Sequence, residues 1–185
     1  MSVIPVEWKG SILSKVMLIA QDIGQKHELE KLANTDALTG LYNERYLSER
    51  LKRNGKLHKK FAMFYLELDR VKPVNDTYGH DMGDRLLKAV SRRLCKCIRK
   101  TDYAFRIGGD EFVIFLKDKT RQNVEEYITM IQRELHIADD QTDIPVSAAI
   151  GYAWTSEKEK NLEKLLNEAD EAMYENKKEL KKERD

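Results

Sequence analysis

Cysteine is scarce in this chain, which has 185 residues and only two thiols, Cys95 and Cys97. They lie in a segment with a helical apolar pattern, where residues two positions apart point to different faces. A disulfide or a shared metal site between them is therefore not expected, and both are predicted to be packing residues. With no other cysteine and no secretory pattern at the start of the sequence, we expect a reducing, cytoplasmic location.

Long hydrophobic runs and an excess of one charge are also missing. The apolar run at residues 16–20 is far shorter than the about 20 residues that cross a bilayer as a helix. Direct membrane insertion is therefore not expected, although the sequence is compatible with a place in a larger, membrane-tethered receptor. The 33 basic and 32 acidic residues leave a net charge of +1. Without a strong positive field, nucleic acid is not an expected partner.

The first part of the chain precedes the predicted main domain. Residues 1–24 contain two apolar runs around a Lys-Gly turn signal, which predicts a hairpin. Residues 25–35 form a predicted connecting helix, because Leu29 and Leu32 stand at helical spacing among charged residues. Such a helix is able to pair with a copy of itself, but two leucines are too few to predict a coiled coil. The predicted main domain is residues 36–181, followed by a tail at 182–185.

Helical and strand patterns alternate through the main domain. Strands appear as short apolar runs, and helices appear as apolar residues spaced three or four apart. Two of the strands follow one another as a hairpin, so the sheet is predicted to be mixed. The predicted fold class is therefore α/β (α+β), a mixed sheet flanked by helices. The predicted strands are residues 61–68, 103–107, 112–116 and 144–153, and the predicted helices are residues 43–53, 83–99, 123–135 and those from 162 onward.

The turn of this hairpin, within RIGGDEF at residues 106–112, carries two glycines followed by two carboxylates. Glycine permits positive φ and lets a ligand approach bare backbone. Bare backbone beside carboxylates suits a nucleotide phosphate and its metal. When these four residues are considered alone, an ordinary type I′ turn with solvated acids is the simpler explanation.

A second acidic segment favours the nucleotide and metal site over the ordinary turn. The strand FAMFYLELD ends in Glu67 and Asp69, and the segment that follows it, RVKPVNDTYGHDMGD, is a predicted loop with donors, acids and two glycines. Mg²⁺ prefers oxygen ligands and usually binds through one or two carboxylates together with substrate phosphates. A strand end with acids that faces a Gly-Gly-acid turn therefore predicts a Mg²⁺ site.

Four stretches in this order resemble a GGDEF domain, the diguanylate cyclase family: DALTGLYNERYL at 36–47, LELDRVKPVNDTYGHDMGD at 66–84, RIGGDEF at 106–112 and ADEAMYENKK at 169–178. The resemblance implies a mixed five-stranded sheet flanked by helices, similar to the adenylyl cyclase core and the polymerase palm. The beginning of the chain resembles the last strands of a PAS domain, which implies an upstream sensor domain in cis.

The resemblance also implies an activity. Two GTP molecules would be condensed into cyclic di-GMP plus pyrophosphate at a Mg²⁺-dependent site between two such domains, so the active form would be a homodimer. Mn²⁺ is an alternative metal. The residues that match the metal ligands are Glu67, the Leu68 carbonyl and Asp110. The residues that match the catalytic positions are Asp110, Glu111 and Lys177.

The remaining matches concern substrate and product. Asn75 and Asp84 match the positions that recognise guanine, and an acceptor at Asp84 suits the N1–H and amino group that guanine presents together. Arg99 and Asp102 match the RxxD motif that binds cyclic di-GMP as an inhibitor, although a helix-ending arginine and a turn aspartate would give the same letters. The other positions that match the GTP site are Arg70, Val71, Lys72, Gly108, Gly109 and Lys181.

Three departures from the family pattern leave alternatives open. Glu67 replaces the usual aspartate and lengthens a ligand of an ion that demands near-ideal octahedral geometry. Lys181 replaces an arginine and loses its bidentate fork, while Val71 and Pro73 change the phosphate loop, the proline by removing a backbone donor. Three hypotheses follow: an active cyclase with product inhibition, a regulatory module that binds GTP or cyclic di-GMP without catalysis, and a dimerisation partner without a ligand.

Overall fold

The computed structural model of the chain describes residues 23–26, 28–53, 60–136, 146–156 and 161–182. It divides into two units, Met1–Asn34 and Thr35–Asp185. In the first unit, helix α1 comprises residues 23–26 and 28–34. The predicted hairpin and its PAS-like strands lie outside the described residues, except residues 23 and 24, which are helical. None of the described helices is long and apolar enough to cross a membrane.

The described part of the second unit contains the strands β1 (Tyr42–Asn43), β2 (Phe61–Leu68), β3 (Tyr103–Arg106), β4 (Glu111–Lys117) and β5 (Ala148–Thr155). They form one five-stranded sheet in the order β1-β3-β4-β2-β5. β1 runs parallel to β3, whereas β3 with β4, β4 with β2, and β2 with β5 are antiparallel. This mixed sheet confirms the predicted fold class.

Among the described residues, this sheet is accompanied by the helices α2 (Glu44–Arg53), α3 (Val71–Tyr78), α4 (His80–Cys97), α5 (Arg121–His136) and α6 (Leu162–Lys182). Helix α3 corrects the prediction of a loop before residue 83. Val71 and Val74 are buried on one side of it. Pro73 lies in its first turn, where a helix does not use the backbone N–H, so the proline is tolerated.

Helices cover both faces of the sheet, as the side chains of β2 show. Side chains alternate across a strand, so Phe64 and Leu66 join the cluster that includes α4 and α5 residues. Met63 and Tyr65 join the cluster that includes α6 residues. Because both faces are buried, FAMFYLEL appears in the sequence as a nearly continuous apolar run. The same alternation places Glu67 at the strand end on the α6 side.

Helix α6 lies directly on β5 at Gly151. A Cβ at this position would be 2.0 Å from the Met173 nitrogen and 2.2 Å from the Ala169 carbonyl oxygen. Glycine is therefore required for the backbones of helix and strand to approach this closely. The contact determines the height of α6 above the sheet, and Lys177 lies one turn beyond Met173.

The two cysteines behave differently. Cys97 is buried, as predicted, but Cys95 is exposed, so the prediction of a packing residue is wrong there. Helix α4 buries the face that carries Leu94 and Cys97, and Cys95 points away from it. Burial is the main reason that the pKa of Cys97 is raised to about 11. Both thiols are free.

Candidate functional site

The ends of β2 and β4 bring the residues that match metal ligands together. Glu67 and Glu111 are direct cross-strand partners in the antiparallel register. One step further, the Leu68 N–H donates to the Asp110 carbonyl oxygen, with an N···O distance of 3.0 Å. Glu67, Leu68 and Asp110 therefore meet at one end of the sheet, although the strand and the turn are far apart in the sequence.

Lys177 of α6 pairs with one of these acids. Carboxylates that face each other across a strand pair repel, which makes the Glu67 and Glu111 pair unfavourable by itself. The Lys177 Nζ donates to Glu67 Oε1, with the two side chains 27% and 21% exposed. The hydrogen bond to Glu67 raises the pKa of Lys177, and the charges of Asp110 and Asp69 reinforce this against the opposing effect of burial. The ammonium group thus remains protonated beside the acids.

Glu111 is held between Tyr65 and Gly108. The Tyr65 hydroxyl donates to Glu111 Oε1 at 3.2 Å, and a Cβ on Gly108 would stand 2.2 Å from Glu111 Oε2. Burial, followed by the charge of Glu111, raises the pKa of Tyr65 above its ordinary value, so the phenol remains a donor. Sequence reasoning missed this role of Tyr65, because its pattern is that of any core residue of a buried strand.

The glycines of the turn differ from the prediction. Neither Gly108 nor Gly109 has a positive φ, and among the described glycines that conformation occurs at Gly40 and Gly79. The alternative explanation of the motif as an ordinary type I′ turn is therefore wrong, since that turn needs positive φ at both central residues. Gly108 instead leaves room for the Glu111 carboxylate.

Arg106 ties this turn to the loop at Asp36. Its guanidinium donates to the Gly109 carbonyl oxygen at 2.8 Å and to Asp36 Oδ1 at 3.1 Å. Asp36 also accepts from the Thr39 N–H at 2.8 Å and from its hydroxyl at 2.6 Å. Burial acts to raise the pKa of Asp36, but the bonds from Thr39 and Arg106 outweigh it, so this pKa is lowered. Both residues stand in motifs that resemble the family, DALTGLYNERYL and RIGGDEF, but their role could not be predicted from the sequence.

Asn75 and Asp84 lie on α3 and α4, which meet at Gly79. A Cβ on Gly83 would be 1.9 Å from Asn75 Oδ1, so the carboxamide rests on the α4 backbone next to Asp84. Asn75 Oδ1 is buried and has no hydrogen-bond partner among the described residues, whereas the Asp84 side chain is exposed. Buried acceptors normally have a donor, so this oxygen retains unused acceptor capacity.

The residues that match phosphate-binding positions surround the start of α3 and the end of α6. Arg70 and Lys72 are exposed, while the Val71 side chain is buried and leaves only its main chain for a ligand. The first N–H groups of a helix have no partner within the helix, and they favour anions. Lys181 is exposed and lies one turn after Lys177, on the same side of α6.

Arg99 and Asp102 lie at the other end of β3 from the turn. Asp102 is 6% exposed, and its Oδ2 accepts from the Arg99 N–H at 3.1 Å. Its Oδ1 accepts from the Lys117 N–H at 3.2 Å. The exposed Arg99 lines an open groove with Tyr127 and Met130. The aspartate thus ties the segment after α4 to β4, while the arginine side chain remains accessible.

The donor set at the sheet end suits a hard cation. Glu67 and Asp110 supply carboxylates and Leu68 a main-chain carbonyl, which are the oxygen ligands that Mg²⁺ prefers, with water and phosphate completing the shell. The part of the chain that the structure describes holds no group of three or more His, Cys, Asp or Glu side chains arranged for a metal. The predicted ligand set agrees with that finding, because it contains only two carboxylate side chains and its third ligand is a main-chain carbonyl.

Comparison with known proteins identifies relatives. A family model described as "Diguanylate cyclase, GGDEF domain" matches residues 33–183. The chain is 38% identical over 150 residues to the uncharacterized protein YtrP of Bacillus subtilis. It is 34% identical over 161 residues to the cyclic di-GMP phosphodiesterase PdeB of Shewanella oneidensis, and 33% over 147 residues to the diguanylate cyclase DosC of Escherichia coli. These matches cover 80%, 83% and 75% of this chain, but they span only 25%, 19% and 32% of the respective relatives.

Solved structures of similar fold come from the same family. The coiled coil and GGDEF domain of DgcB from Caulobacter crescentus, in complex with cyclic di-GMP, gives a TM-score of 0.78 at 20% identity, covering 90% of this chain and 92% of that one. The diguanylate cyclase SiaD from Pseudomonas aeruginosa, in complex with its activator SiaC, gives a TM-score of 0.71 at 28% identity, covering 90% of this chain and 68% of that one. The DgcB likeness supports the fold alone. Because the family model covers most of the chain, from residue 33 to residue 183, the chain belongs to the GGDEF domain family.

Proposed function

We propose that this domain is a Mg²⁺-dependent diguanylate cyclase, which joins two GTP molecules into cyclic di-GMP and releases two pyrophosphates. The observation that carries the proposal is the meeting of Glu67, Asp110 and Glu111 with Lys177 at one end of the sheet. Packing alone does not need this concentration of charge, and opposed carboxylates are destabilising. The activity named for DosC supports the same assignment here.

GTP would be recognised between α3 and α4. Guanine carries N–H donors, and both the exposed Asp84 carboxylate and the buried Asn75 Oδ1 are acceptors. A base without matching donors would leave these acceptors unpaired, which is the strongest basis for selectivity. The phosphates would face Arg70, Lys72 and Lys181 and the first N–H groups of α3.

The acidic sheet end would carry the chemistry. Glu67, Asp110 and the Leu68 carbonyl would hold Mg²⁺, which stabilises the negative charge that develops on the reacting phosphate. Lys177 would contribute its positive charge to the phosphate oxygens beside them. Glu111 would accept the proton that the ribose 3′-hydroxyl loses as its oxygen attacks.

A second copy of the domain is part of the proposal. Each domain offers one guanine site and one acidic sheet end, so two nucleotides require two domains that face one another. Holding both nucleotides in one orientation supplies an effective molarity that collisions in solution do not reach. The rate of product formation should therefore rise more steeply than the protein concentration.

Product inhibition at Arg99 is included in this function. The Arg99 guanidinium is exposed and suits a phosphate or a guanine edge. Asp102 already binds two backbone N–H groups, but a carboxylate oxygen has a second lone pair and retains acceptor capacity. Initial rates should fall when cyclic di-GMP is added, and Arg99→Ala should abolish that fall. Equal initial rates with and without added product in the wild type would contradict an inhibitory site.

A regulatory binding module is the second candidate. Glu67 is paired with Lys177, so a cation at this carboxylate would have to compete with the ammonium group. The relative PdeB, which is named a phosphodiesterase, also contains a stretch similar to this chain. In this case the domain would bind GTP or cyclic di-GMP without turnover and act on other parts of its protein.

One experiment separates the two candidates. The purified chain is incubated with GTP and Mg²⁺ over a range of protein concentrations, and cyclic di-GMP is followed by mass-resolved chromatography. Asp110→Ala should abolish product. Glu168→Ala removes an exposed acid on α6 that pairs with Lys164 outside the site, so this matched variant should retain full activity. Absence of product from a folded, dimerised wild type, with nucleotide binding intact, would instead establish the binding module.

A further inference from the structure

We propose that Tyr65 is a positioning residue for this reaction, because its hydroxyl orients the Glu111 carboxylate toward the ribose hydroxyl. The inference rests on the proposed cyclase function. The phenol oxygen lies 3.2 Å from Glu111 Oε1. Tyr65 is only 9% exposed, so its ring is fixed by the core and presents the hydroxyl from a rigid position.

The strand register explains why a tyrosine reaches Glu111. Tyr65 is paired with Val113, and Glu67 is paired with Glu111, in the antiparallel ladder of β2 and β4. All four side chains lie on one face, because side chains alternate along each strand. Tyr65 and Glu111 are therefore diagonal neighbours, about 7–8 Å apart, a separation that long aromatic side chains span. A phenylalanine would fill the same space in the core without reaching the carboxylate.

Two further neighbours restrict Glu111. Its Oε2 occupies the space where a Cβ of Gly108 would be, at 2.2 Å. Directly across the strand pair lies Glu67, whose like charge Lys177 balances. The Tyr65 hydroxyl supplies a donor to a carboxylate that faces another acid. Without that donor, repulsion from Glu67 favours rotation of Glu111 toward solvent.

Correct placement of Glu111 by Tyr65 is expected to affect the chemical step of the reaction. The ribose 3′-oxygen bonds to the α-phosphorus of the other GTP, the bond from this phosphorus to the β-phosphate oxygen breaks, and pyrophosphate leaves. The 3′-proton passes to Glu111, and no atom changes oxidation state. A misplaced Glu111 would leave GTP binding intact and slow this transfer, so the loss should appear in kcat rather than in KM.

The first test compares two substitutions that each remove one hydroxyl. Tyr65→Phe should lower kcat about tenfold and leave KM within about twofold, since a hydrogen bond to a charged group is worth about this factor. Tyr152→Phe is the matched control, because Tyr152 lies on neighbouring β5 beside Phe64 on the opposite face, and it should retain wild-type kcat. An unchanged kcat for Tyr65→Phe overturns the inference. So does a loss that merely follows a lower folded fraction in thermal unfolding.

The second test asks whether the effect passes through Glu111. Glu111→Asp shortens the carboxylate beyond the reach of the hydroxyl, so adding Tyr65→Phe to it should change kcat by less than about twofold. A full tenfold loss in that background would show that Tyr65 acts elsewhere. If the wild type makes no cyclic di-GMP, the proposed function falls together with the inference. An active wild type with an insensitive Tyr65→Phe rejects the inference alone.

Discussion

Replacement of Gly83 by alanine is expected to weaken GTP binding without unfolding the domain. The new Cβ would lie 1.9 Å from Asn75 Oδ1 and 2.9 Å from Asn75 Cγ. Unstrained contacts between heavy atoms lie near 3.5 Å, so the carboxamide must move by roughly 1–2 Å. Its end is flexible, so we expect Asn75 to turn away while α3 and α4 keep their packing.

The expected magnitudes separate stability from binding. Gly→Ala inside a helix stabilises it by about 1 kcal/mol, and a displaced rotamer costs about 0.5–1.5 kcal/mol. The free energy of unfolding should therefore change by less than about 1 kcal/mol. Loss of the proposed hydrogen bond between Asn75 and guanine should cost about 1.5 kcal/mol of binding. The Kd for GTP should rise about tenfold.

Calorimetric titration with a non-hydrolysable GTP analogue and Mg²⁺ measures the Kd, and urea denaturation measures the free energy of unfolding. In an Asn75→Ala background the alanine at position 83 has no carboxamide to displace, so the double variant should bind as weakly as Asn75→Ala alone. A wild-type Kd for Gly83→Ala would refute the reasoning. So would a double variant whose losses add, because the two substitutions would then act independently.

Two further outcomes are expected. Gly151→Ala should lower the free energy of unfolding by about 3 kcal/mol, because its Cβ would meet the α6 backbone at 2.0 Å. Gly24→Ala, whose Cβ would have no atom within 4 Å, should not lower it in the same urea titration. Asp36→Asn should destabilise the domain at neutral pH. The lowered pKa of Asp36 means that its ionised carboxylate stabilises the fold at pH values above 3.8, the ordinary pKa of this group. That stabilisation is lost as the pH falls through the folded-state pKa. The difference in unfolding free energy between wild type and variant should therefore narrow below pH 3.8. An equal difference at pH 7 and pH 3 would contradict the stabilisation of the Asp36 carboxylate by Thr39 and Arg106.

Strand β2 and helix α3 mark how far sequence patterns predicted the fold. The predicted strand at residues 61–68 coincides with Phe61–Leu68, because a buried strand is an apolar run bounded by polar residues. Helix α3 was missed, since Pro73 and the glycines around residues 79–83 suggest a loop. The helix forms because Val71 and Val74 are buried, and the gain from that burial depends on α4 lying beside them.

The candidate site was likewise predicted only in part from the sequence. The closeness of Glu67 to the turn at Asp110 was predicted, because a strand end and a hairpin turn were expected at one end of a sheet. The pairing of Lys177 with Glu67 depends on the height of α6 above the sheet, which Gly151 determines. No local sequence pattern predicts the distance between α6 and the sheet.

The sequence by itself determined the family, the mixed α/β class and the set of residues that match a GTP site, because these follow from motifs, hydrophobic periodicity and local turn chemistry. Only the tertiary structure decided that Gly108 makes room for the Glu111 carboxylate, that Tyr65 reaches this carboxylate and that Arg106 braces the turn against Asp36. Each of these contacts joins residues through the sheet register or across a loop. Their energies depend on distances of a few ångströms, which form only when the core has packed.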